Sequence, residues 1–169
     1  MLRRLEELSN LIGVSGDEGR VRDILLEAVR PYADQVTVDV MGNLIVYKKG
    51  ESADKTVMLC AHMDEVGLIV SAITESGYLK FQTVGGVDAR VLVGKRVVVG
   101  QSNITGIISL KAIHLQTKDE RTAAVKEKQL YIDIGAKDKD DALKYVKPGD
   151  RIGFATKFKR LGEKRVMGK

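Results

Sequence analysis

The 169-residue sequence has no tryptophan, one cysteine and two prolines, and aromatic side chains make up 5% of it. With Cys60 as its single cysteine the chain can form no internal disulfide. Its fold must rest on burial and hydrogen bonding, as suits a reducing compartment. Scarce aromatics leave little on which nucleobases could stack. No apolar run approaches the roughly 18 residues that a membrane span requires. The opening residues Leu2, Arg3, Arg4, Leu5, Glu6 and Glu7 carry no signal-peptide core. The expectation is a cytoplasmic protein with no membrane partner.

What is present is an ordinary folded composition, 44% apolar and 30% charged, enough for one domain or two small ones. The net charge of +5 would suit a nucleic-acid partner, but its location argues against one. Six basic residues (Lys157, Lys159, Arg160, Lys164, Arg165 and Lys169) meet one acidic residue, Glu163, and the rest of the chain is balanced. The excess therefore reads as a solvated C-terminal tail. There is no internal repeat and no low-complexity stretch.

Leu2, Leu5, Leu8, Leu11 and Ile12 recur at helical spacing, predicting an amphipathic helix over the first dozen residues that stops near Gly13. Glu6 and Glu7, beside Arg3 and Arg4, belong to its solvated face. Ser15 and Glu18 have the spacing of a capping box, and Val21, Ile24, Leu25, Ala28, Val29 and Tyr32 continue as an apolar stripe. Pro31 requires a distorted last turn. Val36, Val38 and Val40 alternate with polar residues and, after a turn through Gly42 and Asn43, pair with Leu44, Ile45, Val46 and Tyr47 as a hairpin. A loop over 48–55 leads to the run Val57, Met58, Leu59, Cys60, Ala61, which reads as a buried strand delivering His62, Asp64, Glu65 and Gly67 at its far end.

From residue 68 short β runs separated by glycines take over, at 68–73, 78–84, 96–99, 104–110, 130–134 and 151–158. Regular short strands of this kind suggest a small barrel. Asp138 is expected to cap a short helix to Tyr145, with Asp140 and Asp141 complementing its dipole. Lys147, Pro148, Gly149 and Asp150 should turn into the last strand.

Strand ends in open α/β sheets are where ligands bind. If the pleat continued, His62 and Asp64 would leave from one face, so the carboxylate could share a metal or orient the imidazole. A lone His-x-Asp is also compatible with a satisfied structural histidine. Cys60 could ligate zinc as a thiolate, though a small buried hydrophobe is the commoner role. His114 reads as a structural or surface imidazole, and the segment 85–88 (Gly85, Gly86, Val87, Asp88) lacks phosphate-loop spacing.

Taken together, residues 61–67 with Ser15, Gly16, Asp17 and Glu18, the stretch from Asp39 to Leu44, Gly85 to Asp88, His114, the stretch from Ile132 to Ala136, and Pro148 to Asp150 resemble, in order, the dinuclear metallo-aminopeptidases. That family includes the self-compartmentalising TET enzymes and glutamyl aminopeptidases, some of them labelled endoglucanase. The resemblance implies an α/β fold: the N-terminal segment of a catalytic α/β metallopeptidase domain over 1–67, an inserted small β-barrel used for oligomerisation over 68–158, and the start of a return into the catalytic domain over 159–169. It implies two divalent metal ions, zinc or cobalt, with His62 as a metal ligand and Asp64 as the carboxylate that orients it. The implied partners are a peptide substrate and further copies of the chain.

In that family the bridging aspartate, the general-base and metal glutamates, a later aspartate and the second histidine all lie beyond the barrel. This sequence closes at Met167, Gly168 and Lys169 before reaching them. The expectation is a truncated or split product without turnover of its own, and the alternative is a non-catalytic barrel assembly module in which His62 is a relic.

Overall fold

Apolar residues in this chain segregate into short alternating runs, and such runs bury one face only when a sheet closes around them. The computed structural model describes residues 2–52 and 54–169. Met1, at the head of the predicted first helix, and Ala53, in the predicted 48–55 loop, lie outside the described residues. Six strands form a closed barrel: β3 (Gly67–Ile73), β4 (Leu79–Val84), β5 (Arg96–Val99), β6 (Ile104–Leu110), β7 (Leu130–Asp133) and β8 (Arg151–Phe154). They follow in the order β3-β4-β7-β6-β5-β8 and every neighbouring pair is antiparallel. Closure removes the unpaired edges that an open sheet of this size would carry.

The barrel interior explains the alternation. Leu68 and Val70 point inward on β3, but a register shift between Val70 and Ala72 makes Ile73 the next inward residue. Such a bulge inserts one extra residue and re-aims the strand. Leu79, Phe81, Val97, Val99, Ile108, Leu130, Ile132 and Ile152 complete the wall, and Leu92, Ala142 and Val146 join the same cluster. Among described residues, every buried hydrophobic side chain except Val14 and Val21 belongs to it. Gly106 is required inside this wall, because a Cβ there would lie 2.6 Å from Ile132 Cγ2.

Ahead of the barrel, α1 (Leu2–Asn10) and α2 (Gly19–Val29) precede a two-stranded hairpin, β1 (Gln35–Val38) paired with β2 (Leu44–Tyr47). α2 turns most of its predicted stripe inward, with Val21 buried and Ile24, Leu25, Ala28 and Val29 half-buried, but Tyr32 falls beyond the helix and is exposed. It ends in a 3-10 turn, Arg30–Tyr32, that accommodates Pro31. The hairpin turn is tied by Asp39, whose carboxylate accepts from the Met41 and Asn43 amides at 2.9 Å each and from Asn43 Nδ2 at 2.8 Å. α3 (Lys118–Thr122), which the sequence reading missed, carries a capping box from Thr117 and Glu120. α4 (Lys139–Leu143) is capped as expected, Asp138 accepting from the Asp141 amide at 2.8 Å.

Four expectations are corrected. Residues 56–64 do not form a strand: no backbone group there bonds another backbone group among the described residues, and Val57 and Leu59 are 80% and 93% exposed. A strand needs ladder partners, and among the described residues β1 and β2 pair only with each other. Cys60 is accordingly exposed rather than buried. Ser15 does not cap α2, whose first turn has no side-chain cap, because the Ser15 hydroxyl is committed to Asp64. The last barrel strand stops at Phe154, and the basic tail folds back as a second hairpin, β9 (Lys159–Leu161) with β10 (Arg165–Met167). No described helix is long and apolar enough to cross a membrane.

Candidate active site

The chain passes from the 56–64 segment into the barrel through Glu65, which forms a parallel bridge with Val14. The Glu65 amide donates to the Gly13 carbonyl at 2.8 Å, and the Ser15 amide donates to the Glu65 carbonyl at 3.4 Å. The Glu65 carboxylate adds a second clasp, accepting from the Gly13 amide at 3.2 Å and from Lys169 Nζ at 2.9 Å. Lys169 also donates to the Leu11 carbonyl. Glu65 is thus occupied in joining three segments, and Asp64 is the carboxylate left beside His62.

The two predicted site residues do meet, although without a pleat to align them. His62 Nδ1 lies 3.1 Å from Asp64 Oδ1 and 3.0 Å from the Asp64 carbonyl oxygen. Both partners are acceptors, so the neutral imidazole compatible with this geometry carries its proton on Nδ1 and keeps the lone pair on Nε2. Asp64 Oδ2 accepts from the Ser15 hydroxyl. That bond from Ser15, with smaller help from His62, holds the Asp64 carboxyl below its ordinary value against a raising effect of desolvation. The His62 side chain is 85% exposed and that of Asp64 38%. Both border a groove of about 400 Å³ that is also lined by Leu8, Leu11, Val21 and Leu25.

Sequence reasoning missed Ser15 as the partner of Asp64. The signal was the Ser-Gly-Asp-Glu stretch, which carries the family resemblance but was read as a helix cap. In its place Glu18 accepts from the Gly16 amide at 2.6 Å. His114 sits exposed in a 3-10 turn, Ile113–Leu115, and is not among the residues lining the His62 groove. The donor set fits one ligand position and not a complete ion site, since among described residues no three His, Cys, Asp or Glu side chains converge.

With this geometry in view, the chain matches the family described as M42 glutamyl aminopeptidase over residues 42–169. The chain belongs to that family. It is 34% identical over 161 residues to the lysyl aminopeptidase of Pyrococcus furiosus, covering 90% of this chain and 45% of that protein. The crystal structure of a TET aminopeptidase from a marine-sediment thaumarchaeon superposes with a TM-score of 0.88 at 38% identity, covering 95% of this chain and 46% of the other. A Thermotoga maritima structure described as an endoglucanase gives 0.85 at 39% identity, covering 98% and 48%. A further similar structure, TET1 peptidase of Pyrococcus horikoshii, can assemble into a tetrahedron or a large octahedral shell. The M42 fold of these neighbours is the α/β architecture described above, with its barrel intact, and the chain spans about half the length of the relatives it matches.

Proposed function

We propose that this chain forms one wall of the active site of an M42 aminopeptidase acting on peptides, with His62 as a metal ligand through Nε2 and Asp64 as the residue that orients it. The observation that carries this reading is the His62–Asp64 pair, which leaves one imidazole nitrogen protonated against a carboxylate and the other free to bind a cation. When bound, two divalent ions, zinc or cobalt, supply Lewis acidity toward the scissile carbonyl and the attacking water. This chain's residues supply one imidazole and its orientation. The remaining ligands and the general base belong to sequence that the family members carry beyond the matched half, so the 169 residues alone are catalytically incomplete.

The same reading divides the chain into a catalytic segment over 1–67, an inserted barrel over 68–158 and a return segment over 159–169. It assigns homo-oligomerisation to the barrel and places the protein in the cytoplasm. Hydrolysis of aminoacyl-p-nitroanilides with added zinc or cobalt tests it. The chain alone should show no turnover. Supplementing it with a polypeptide carrying the second half of a family member should produce activity that His62→Ala abolishes. Robust activity from this chain alone, lost in His62→Ala, would overturn the incomplete-site reading.

A second reading, a non-catalytic assembly module, draws on the barrel's possession of nearly all the buried core. It predicts a stable oligomer indifferent to metal and no activity on supplementation.

A further inference from the structure

Asp64 is held from two directions. One oxygen faces His62 Nδ1 at 3.1 Å, and the other accepts a hydrogen bond from the Ser15 hydroxyl, 49 residues away in sequence. Ser15 is itself fixed from the barrel, its carbonyl accepting from Arg151 Nε on β8 at 2.9 Å. Gly16 follows in the left-handed region at φ +84°, a conformation that favours glycine, with the Arg151 guanidinium passing close by. A half-buried hydroxyl anchored to the barrel therefore meets a half-buried carboxylate that meets an exposed imidazole.

An exposed carboxylate with one partner samples several rotamers, and water competes for the imidazole proton. The Asp64 carbonyl at 3.0 Å also accepts from Nδ1, but a neutral carbonyl holds a proton less firmly than a charge-assisted bond to a carboxylate. Locking the carboxylate rotamer thus decides how uniformly the imidazole keeps one tautomer. A ligand held in advance in its binding tautomer loses less on binding.

We propose that Ser15 is a positioning residue for His62: its hydroxyl pins the Asp64 carboxylate against Nδ1 and so keeps the lone pair on Nε2. The purpose of this device rests on the reading of His62 as a ligand, but its existence does not.

The test is the tautomer pattern of the metal-free full chain, labelled with 15N-histidine and measured above the ordinary histidine pKa of about 6.5. Long-range 1H–15N correlations report the two ring nitrogens separately, and the exposed His114 serves as an unconstrained reference. His62 should show the single Nδ1–H pattern. Ser15→Ala should relax it to the mixed pattern of His114, and Ser15→Thr should restore it. Ser15→Cys, near wild-type in size and a weak donor, should relax it as Ala does, which covers a poorly folding Ala variant. The Ser15 and Glu65 amides, bonded to the Glu65 and Gly13 carbonyls, should stay protected from exchange throughout.

An unchanged His62 pattern in Ser15→Ala or Ser15→Cys would overturn the proposal. So would a lost pattern accompanied by loss of those protected amides and not repaired by Ser15→Thr, since Ser15 would then serve only to hold the loop. Because no metal is present, the result is independent of the ligand assignment, which the supplemented activity assay and His62→Ala test separately.

Discussion

Gly67→Ala should destabilise this protein through a clash that one compensating mutation cannot relieve. Gly67 opens β3 where the N-terminal segment meets the barrel, and its backbone is not in the left-handed region, so the cost is spatial. A Cβ there would stand 2.5 Å and 2.9 Å from the two γ-methyls of Val14 and 2.7 Å from the carbonyl oxygen of Ile152. Val14 and Ile152 are both fully buried. Overpacking a tight site costs about 1–3 kcal/mol, and a backbone oxygen on the paired strand β8 cannot rotate aside, so the upper half of that range applies. At roughly 2–4 °C per kcal/mol for a chain of this size the thermal midpoint should fall by about 4–12 °C. Val14→Ala removes the methyl contacts but not the carbonyl one. The double variant should therefore show favourable coupling without recovering the stability of Val14→Ala alone. Thermal and urea unfolding of the four proteins read this directly. A neutral Gly67→Ala, or complete rescue by Val14→Ala, would refute the packing described for this junction.

Two further outcomes follow from the surface. Asp88 receives the Arg90 side chain in a paired contact, Nε to Oδ1 at 3.0 Å and Nη2 to Oδ2 at 2.5 Å, together with the Arg90 amide, and these lower its pKa from 3.8 to about 2. A depressed carboxyl stabilises above its unfolded value and loses that contribution as pH falls from 3.8 toward 2, so the thermal midpoint of Asp88→Asn should fall less steeply across that window than wild type. Equal slopes would deny the pair any role in acid stability. Cys60 is exposed on a segment without ladder bonds, so a thiol reagent should titrate it in the native protein as fast as in urea. Native-state protection would show that residues 56–64 are covered.

The barrel was readable because each of its runs carries its own instruction: alternating apolar residues between glycine turns specify a face and a length before any partner is known. The structure starts all six strands within one residue of their expected positions. The run over 56–64 failed by the same logic. Its apolar stretch from Val57 to Ala61 announces a need for burial on both faces, but composition cannot supply the neighbours, and among the described residues β1 and β2 satisfy only each other. Ser15 was misread because a Ser-x-x-Glu spacing describes a local bond, whereas the hydroxyl went to a carboxylate 49 residues away. The C-terminal hairpin was hidden for the opposite reason, since Lys159, Arg160 and Arg165 give it no apolar alternation. Its turn depends on Gly162 at φ +64°. The closeness of His62 and Asp64 was legible because two residues so near in sequence can meet without a strand to align them.

The position of that pair also says what the barrel contributes to the site. Exposed as it is, His62 belongs to a segment with no backbone ladder of its own, so its precision must be borrowed from what lies beside it. The loan comes through one short stretch: Glu65 bridges Val14, Val14 packs on Gly67 at the start of β3, and Arg151 on β8 holds Ser15 against Asp64. Glu65 lies within three residues of His62, Gly67 and Arg151 lie on strands of the closed barrel, and Val14 and Ser15 join the two from the N-terminal segment. A closed barrel is suited to this because its strands cannot slip or fray at an edge. Stability lost at the Val14–Gly67 junction should therefore appear twice, once in the unfolding midpoint and once in the uniformity of the His62 tautomer, whereas an equal loss placed in the β1–β2 hairpin should appear only in the first.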